Sequence, residues 1–275
     1  MKSVCMALLV VLFVSCSSDD GNSNKDYSLE NQEEILSYIA TNNIDAESTE
    51  SGLYYVIDEV GEGDAITSTS DVTVKYKGYF TDGTVFDENT ESAVSFNLQG
   101  VIEGWQEGIP MFNEGGSGLL IIPAHLAYGS NSYGGIPAGS VLVFEIEIID
   151  YNAINKQEIE DYIAENDLNA MSTASGLYYV IEEQGEGVRP TSTSTVTVNY
   201  EGYFTDGEIF AERSANLNLE IEDILEGWQE GLQLLNEGGT MKLLIPSALG
   251  YGRYDYSVIP GGSVTIFDIE LVDVN

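Results

Sequence analysis

Side chains that could carry chemistry are few in this chain, and they do not occur in the combinations that most enzymes use. There is one histidine, His125, and both cysteines, Cys5 and Cys16, lie near the N-terminus. A zinc site or a catalytic triad needs further ligands or a nucleophile beside the histidine, and the sequence around His125 supplies none. The sequence therefore predicts no metal and no cofactor, and we expect His125 to be a solvated residue beside a helix.

The polar residues that remain as candidates belong to a stretch that occurs twice. The segment "YFTDGTVFDENT" at 79–90 is echoed by "YFTDGEIFAERS" at 203–214, and Asp87 of the first copy becomes Ala211 in the second. The offset between the copies is 124 residues early in the unit and 123 later. A period this long that occurs only twice indicates a duplicated domain rather than a solenoid.

Each copy has the pattern of a small antiparallel sheet that holds one short helix. The segments "VTVKY" and "VTVNY" alternate as half-buried strands do, an Asp-Gly turn follows each, and "EGWQEG" predicts a helical turn or two in both copies. A short amphipathic helix precedes each copy, with apolar residues at Ile35 and Ile39 and again at Ile159 and Ile163. Such helices are unstable alone, so we expect each to dock on a domain. The predicted fold class is α+β.

Composition and charge exclude one large class of function. Hydrophobic residues make up 43% of the chain, as in globular proteins, and the formal net charge is -37. Acidic surfaces repel the phosphate backbone, so no nucleic-acid partner is expected.

The N-terminus has the pattern of an export signal. Lys2 precedes a short apolar run, and "LFVSC" resembles a bacterial lipobox in which Cys16 is acylated and becomes the first residue of the mature chain. An ordinary cleaved signal peptide that contains a cysteine is the alternative. We expect a lipid anchor in the cell envelope, in the outer membrane. The short acidic stretch after Cys16 also resembles surface-export signals of Bacteroidota lipoproteins.

Several motifs together carry a resemblance to a known family. The segments "VTVKYKGYFTDGTVFD", "VIEGWQEG", "IPAHLAYG" and "IPAGSVLVFEIEI" resemble, in order, those of FKBP-type peptidyl-prolyl cis-trans isomerases. The resemblance implies two tandem domains, each an antiparallel half-barrel sheet wrapped on a short helix. With it, the chain divides into six segments. They are a signal peptide (1–15), a polar tether (16–26), a helical lead-in (27–50), a first domain (51–152), a helical linker (153–174) and a second domain with a degenerate site (175–275).

The resemblance also implies a substrate-binding cup in each domain, which takes proline-containing polypeptides as clients and macrolides as inhibitors. In the first domain Trp105 would form the floor, while the Ile102 N–H and the Tyr128 hydroxyl would hold substrate carbonyls. Asp87 would be a carboxylate at the buried edge, hydrogen-bonded to Tyr76. The implied catalytic set is Tyr76, Phe86, Asp87, Val101, Ile102, Trp105, Tyr128, Ile136 and Phe144, and the further substrate-binding set is Val94, Tyr200, Phe210, Leu225, Trp228, Tyr251, Ile259 and Phe267.

The change from Asp87 to Ala211 predicts a division of labour between the domains. The second copy keeps its aromatic cup but lacks the carboxylate, so we expect it to be weaker or to bind only. We also expect Ala215 and Leu217 to occupy the positions of Val94 and Phe96, which thins one wall of the second cup.

Three functions remain open from the sequence. The first is a prolyl isomerase that assists the folding of exported proteins. The second is a chaperone or adaptor that binds proline-containing segments without catalysis. The third is a structural lipoprotein whose domains act only as spacers from the membrane. The motif set of the first domain favours the enzyme.

Overall fold

The fold consists of two copies of one antiparallel unit, as the sequence repeat predicts. The computed structural model describes residues 25–275, and for residues 213–217 it describes the backbone only. The predicted signal peptide, Cys16 and most of the tether therefore lie outside the described residues. Across the described range, no helix is both long enough and apolar enough to cross a membrane.

Each unit contains a long lead-in helix, six strands and a short helix. The first unit consists of α1 (Ser28–Asn42), β1 (Glu47–Ser48), β2 (Tyr54–Glu59), β3 (Asp71–Tyr79), β4 (Val85–Asn97), α2 (Glu103–Gly108), β5 (Ser117–Ile122) and β6 (Leu142–Ile148). The second consists of α3 (Tyr151–Glu165), β7 (Met171–Ser172), β8 (Tyr178–Glu183), β9 (Thr195–Tyr203), β10 (Ile209–Glu220), α4 (Glu226–Leu232), β11 (Thr240–Ile245) and β12 (Thr265–Val274).

The strands of each unit form one antiparallel sheet, and the two sheets have the same topology. The order is β1-β2-β5-β6-β3-β4 in the first sheet and β10-β9-β12-β11-β8-β7 in the second. The two strands joined by the Asp-Gly turn are therefore neighbours at one edge of each sheet, and the closing strand lies inside the sheet, between two other strands. The predicted α+β class with two tandem domains is confirmed.

The short helix of each unit packs closely on the inner face of its sheet. Trp105 of α2 is buried in one core with Leu120, and Trp228 of α4 is buried in the matching core of the second unit. Close approach depends on glycine, because a Cβ built on Gly104 would lie 2.5 Å from a methyl carbon of Ile122. Any larger residue at this position would push α2 and its tryptophan away from the sheet.

The long helices dock on the opposite face of each sheet, which confirms that prediction. Side chains alternate along a strand, so Ile121 and Val143 face outward, where they bury Ile35 of α1. Ile159 of α3 is buried in the same way on the second sheet. The α3 helix begins at Tyr151, where the Asp150 side chain accepts a hydrogen bond from the Ala153 N–H at 3.0 Å and so caps the helix.

Candidate active site

A cavity of about 730 Å³ lies in the first domain, between the inner face of the sheet and α2. Every residue that the resemblance assigned to the first cup lines it. The lining consists of Tyr76, Phe86, Asp87, Val94, Phe96, Gly100, Val101, Ile102, Trp105, Ala127, Tyr128, Tyr133, Gly134, Ile136 and Phe144. Residues from β3, β4, α2, β6 and the segment between β5 and β6 thus converge on one space.

Aromatic rings in edge-to-face contact form the floor and one wall of this cavity. Trp105 is only 5% exposed, and its ring centroid lies 5.3 Å from that of Tyr76 and 5.1 Å from that of Phe144. Phe86 contacts Phe144 with a centroid distance of 5.5 Å and an interplanar angle of 86°. Such T-shaped contacts fix ring orientation as well as burying area, so the wall is preformed.

A hydrogen-bonded polar group lies at the edge of the aromatic wall. The Tyr76 hydroxyl donates to Asp87 Oδ2 at 2.7 Å, and Asn89 Nδ2 donates to the same hydroxyl oxygen at 2.9 Å. Burial, followed by the hydrogen bond to Asp87, raises the pKa of Tyr76 to about 12. The phenol therefore stays neutral at physiological pH and remains a hydrogen-bond donor.

The expectation that Asp87 is a buried carboxylate is wrong. Asp87 is an exposed residue, although it lines the cavity and accepts from Tyr76. The reason is its place on β4, which is the edge strand of the sheet and has no neighbouring strand on its outer side. The carboxylate is thus at the mouth of the cavity, where both water and a bound chain can reach it.

The backbone at the start of α2 offers a donor toward the cavity. Ile102 is the N-cap of the helix, so its N–H precedes the first helical hydrogen bond, and no backbone carbonyl of the described residues accepts from it. The turn before it is held in place because Gln106 Nε2 donates to the Val101 carbonyl at 2.8 Å.

The opposite rim of the cavity is formed by the segment between β5 and β6. Tyr128 stacks on Tyr133 with a centroid distance of 4.8 Å and an interplanar angle of 10°. Burial raises the pKa of Tyr128, so this hydroxyl is also neutral. His125, in the same segment, is exposed and places Nε2 2.8 Å from the Ser51 carbonyl oxygen, as expected of a solvated residue.

Four lining residues were absent from the sequence-based prediction. Gly100, Ala127, Tyr133 and Gly134 lie in turns, where strand and helix periodicity gives no signal. Tyr133 had a signal in the repeat, because the second copy has a tyrosine, Tyr256, at the matching position after "YG". Tyr256 stacks on Tyr251 with a centroid distance of 5.2 Å.

The second domain rebuilds the same aromatic arrangement. Trp228 is 5% exposed, and its ring centroid lies 5.1 Å from those of Tyr200 and Phe267. Phe210 contacts Phe267 at 5.5 Å and 87°, which matches the Phe86–Phe144 pair. The remaining predicted residues of this cup also take matching places, with Leu225 as the N-cap of α4, Tyr251 half-buried and Ile259 buried.

The strand register confirms one proposed equivalence between the copies and corrects two others. Ala211 pairs with Gly202 just as Asp87 pairs with Gly78, so alanine does replace the carboxylate. The equivalence of Leu217 with Phe96 is wrong, and so is that of Ala215 with Val94. Leu219 pairs with Val196, as Phe96 does with Val72, and Leu217 instead matches Val94.

The physical reason for these corrections is a difference in strand length. The β10 strand has 12 residues where β4 has 13, and one of the two register shifts in β10 lies between Arg213 and Leu217. Leu219 is half-buried against the core, so a smaller apolar residue stands where Phe96 stands in the first domain. The side chains of Ala215 and Leu217 lie outside the described part of the chain.

Comparison with known proteins gives a consistent result. The family model described as "FKBP-type peptidyl-prolyl cis-trans isomerase" matches residues 63–149 and 186–272. The chain is 46% identical over 109 residues to the isomerase FkpA of Buchnera aphidicola subsp. Schizaphis graminum, covering 38% of this chain and 43% of that protein. It is 37% identical over 133 residues to FkpA of Escherichia coli K12, covering 47% and 48%.

A crystal structure of FkpA from Escherichia coli is 34% identical, with 45% of this chain and 61% of that chain covered and a TM-score of 0.42. The chain spans less than half the length of the curated relatives just described.

Proposed function

The chain belongs to the family of FKBP-type peptidyl-prolyl cis-trans isomerases, and on this premise we propose that its first domain catalyses cis-trans isomerisation of X-Pro bonds in polypeptides. The observation that carries the proposal is the aromatic cavity above Trp105, in which every residue of the implied site takes part. Proline is the sensible target, because only X-Pro bonds have appreciable cis populations.

The proposed mechanism needs no nucleophile and no proton transfer. Rotation about the amide has a barrier of roughly 18–20 kcal/mol, because resonance is lost at the twisted midpoint. A twisted amide is less dipolar than a planar one, so an aromatic cavity that excludes water favours it over the ground state. Aromatic walls formed by Phe86, Trp105 and Phe144 support this role.

Polar groups at the rim would orient the peptide on both sides of the proline. The Ile102 N–H, before the first turn of α2, would donate to one substrate carbonyl. The neutral Tyr128 hydroxyl on the opposite rim would donate to another. Asp87 would act at the mouth of the cavity through the Tyr76 hydroxyl, which it orients by accepting a hydrogen bond from it, with 2.7 Å between the two oxygens.

The second domain is proposed to be the weaker unit or to bind without turnover. Its aromatic contacts match those of the first domain, which supports peptide binding. Ala211 cannot accept a hydrogen bond through its side chain. Leu219 takes the place of Phe96, so this part of the wall is aliphatic rather than aromatic.

Non-catalytic binding of client chains is the second candidate for the protein as a whole. It is favoured by apolar side chains exposed in the second domain, where Ile209 is 55% and Val258 is 67% exposed. Exposed apolar groups of this kind suit capture of unfolded segments. The proposed setting for either function is the cell envelope, with the chain exported and anchored through Cys16, so that exported proteins would be the clients.

The experiment that separates the two candidates measures isomerisation and holding in parallel. A proline tetrapeptide assay would show a rate above the uncatalysed one that falls when a macrolide is added. An aggregation assay with a proline-free unfolded protein measures holding alone. Suppressed aggregation without accelerated isomerisation would establish the chaperone and refute the enzyme.

A further inference from the structure

The lead-in helix α1 makes one buried polar contact with the rim segment of the candidate active site. Asn31, in the first turns of α1, is only 2% exposed. Its Nδ2 donates to the Gly139 carbonyl at 2.8 Å, and its Oδ1 accepts from the Ala124 N–H at 2.9 Å. These partners are the two ends of the segment 124–139, which contains Tyr128, Tyr133 and Ile136 of the cavity lining.

The two contacts are part of a closed ring of four hydrogen bonds. The Gly139 N–H donates to the Gly129 carbonyl at 2.9 Å, and the Gly129 N–H donates to the Ala124 carbonyl at 2.7 Å. Asn31 therefore joins the segment's ends and closes the ring. Gly129 directly follows Tyr128, so the ring fixes the backbone beside the rim hydroxyl.

A tyrosine one helical turn before the asparagine covers one corner of the ring. Gly139 has φ +77°, and a Cβ built on it would lie 2.2 Å from the Tyr27 ring. Only glycine fits between the helix and the rim segment at this point. The helix is thus seated on the segment by an aromatic ring and by two hydrogen bonds.

The second domain contains the same ring, with Ser247 in the place of Ala124. Asn155 is 1% exposed, donates to the Gly262 carbonyl at 2.8 Å and accepts from the Ser247 N–H at 2.8 Å. Gly262 donates to Gly252 at 2.9 Å, and Gly252 donates to Ser247 at 2.8 Å. Ala124 and Ser247 take part only through their backbone N–H and carbonyl groups. The hydrogen bonds of the ring are therefore the same with alanine or serine at this position.

We infer that Asn31 is a positioning residue of the site, through which the lead-in helix holds the rim segment ready for substrate. This inference rests on the proposed isomerase function and deepens it. Asparagine is a poor helix former, and a buried amide is costly unless it is hydrogen-bonded. Its presence inside α1 is accounted for by the ring, in which both of its polar atoms have a partner.

The expected consequence concerns substrate binding more than turnover. A segment that is already ordered loses little freedom when a peptide binds, whereas a loosened one must be ordered at that moment. The Asn31→Ala variant should therefore raise KM for a proline peptide about three- to tenfold, with kcat within about twofold of the unaltered protein. Partial unfolding would instead lower kcat and leave KM unchanged.

The test uses the full chain with a matched control in each direction. Hydrogen exchange of a peptide covering 127–139 should become at least about tenfold faster in Asn31→Ala, because the Gly129 and Gly139 amides lose protection. The peptide covering 250–262 should be unchanged. Asn155→Ala makes the same substitution in the second domain. It should speed exchange of the peptide covering 250–262 and leave both the exchange of the peptide covering 127–139 and the KM unchanged.

Two further variants separate positioning from helix stability. Ile35→Val weakens the packing of α1 without touching the ring, so it should leave KM unchanged. If it raises KM as much as Asn31→Ala does, the positioning role is refuted. If Asn31→Ala does not fold, Asn31→Asp decides, because it keeps the acceptor for Ala124 and cannot donate to Gly139. Faster exchange at the Gly139 end supports the inference and unchanged exchange overturns it.

Failure of the proposed function gives a different result from failure of this inference. A chain that does not accelerate isomerisation refutes the isomerase, yet exchange of the segment 127–139 still reports the ring. An active chain whose Asn31→Ala variant keeps both its KM and its exchange rates refutes the inference alone.

Discussion

Arg253 of the second domain forms an ion pair with Glu114 of the first, with Nη2 2.9 Å from Oε1. Glu114 is buried at 6% exposure, and Arg253 is the basic residue paired with it. The same loop makes two more contacts across the boundary, because the Arg253 carbonyl accepts from Ser95 and the Tyr254 hydroxyl donates to Asp71. The rim segment of the second cup is therefore fixed against the first domain.

Removing the guanidinium of Arg253 should destabilise the protein. The Arg253→Met variant keeps the aliphatic stem but leaves the Glu114 carboxylate buried without its partner. Removing one partner of a fully buried ion pair costs about 3–5 kcal/mol. Because the Arg253 side chain is 27% exposed, water already weakens this pair, and we expect the free energy of unfolding, measured by urea titration, to fall by about 1–3 kcal/mol.

The double variant Glu114→Gln with Arg253→Met is the control for that measurement. With both charges gone, it should be more stable than the sum of the single losses predicts, by about 1–2 kcal/mol. Strictly additive losses would show that the two residues do not interact in solution.

Truncation of Phe86 should lower activity through loss of the aromatic wall. Phe86→Ala removes the edge-to-face contact with Phe144 and admits water to the cavity. We expect kcat/KM for a proline peptide to fall by about 10- to 100-fold, or about 1.4–2.7 kcal/mol. The matched variant Phe210→Ala in the second domain should lower kcat/KM less than twofold. A folded Phe86→Ala protein with full activity would exclude this cavity as the site.

The raised pKa of Tyr76 predicts a specific dependence of stability on pH. The folded value is about 12 and the ordinary value is 10.0, so the phenol holds its proton more tightly in the folded protein. The contribution of this protonated phenol to the free energy of unfolding is complete below pH 10.0 and is lost as the pH rises toward about 12. The free energy of unfolding should fall over this window, and less steeply in Tyr76→Phe.

Activity should not follow that change, because neither rim hydroxyl ionises near neutral pH. We expect kcat/KM to be flat from about pH 6 to about pH 9. For stability, the free energy of unfolding could instead fall equally steeply with alkaline pH in the unaltered protein and in Tyr76→Phe. That result would contradict the assignment of the raised pKa to Tyr76.

The two cysteines allow a direct test of the lipid anchor. A chain expressed in a bacterium that processes lipoproteins should incorporate a labelled fatty acid and sediment with membranes. Cys16→Ser should abolish both, whereas Cys5→Ser, which removes the other thiol, should leave both intact. Labelling that survives Cys16→Ser would refute the lipoprotein hypothesis, and so would an unaltered protein that is soluble and unlabelled.

The sequence could predict the fold and most of the cavity because repeats and ordered motifs are local signals. Strand alternation and Asp-Gly turns fixed the order of the elements, and the shared motifs brought residues as distant as Tyr76 and Phe144 into one site. Exposure was harder to predict, as Asp87 shows, because it depends on whether another strand covers the edge.

The contacts that sequence analysis missed involve backbone atoms or long-range partners. Asn31 reaches carbonyl and amide groups about a hundred residues away, and such groups occur at every residue, so no side-chain pattern marks the partner. Arg253 contacts the other domain, and alignment of the two repeats gives no information about contacts between domains. The equivalence of Leu219 with Phe96 was hidden by a one-residue difference within an irregular part of the strand.

Exchange of the residues at 87 and 211 should move activity between the domains. Asp87→Ala leaves the Tyr76 hydroxyl without its acceptor at 2.7 Å, so we expect kcat/KM to fall about 3- to 30-fold, with peptide binding retained by the aromatic cavity. Ala211→Asp places a carboxylate opposite Gly202, at the position that Asp87 has opposite Gly78. Added to Asp87→Ala, it should restore part of the lost activity.

Selective loss of each cup identifies the domain in which the recovered activity resides. In the Asp87→Ala, Ala211→Asp chain, Phe210→Ala should now be harmful and Phe86→Ala nearly neutral, which is the reverse of their effects in the unaltered protein. The carboxylate would then be the group that separates a fast domain from a slow one. If Asp87→Ala alone leaves kcat/KM unchanged, the carboxylate is dispensable, and the alanine at 211 cannot account for any difference between the two domains.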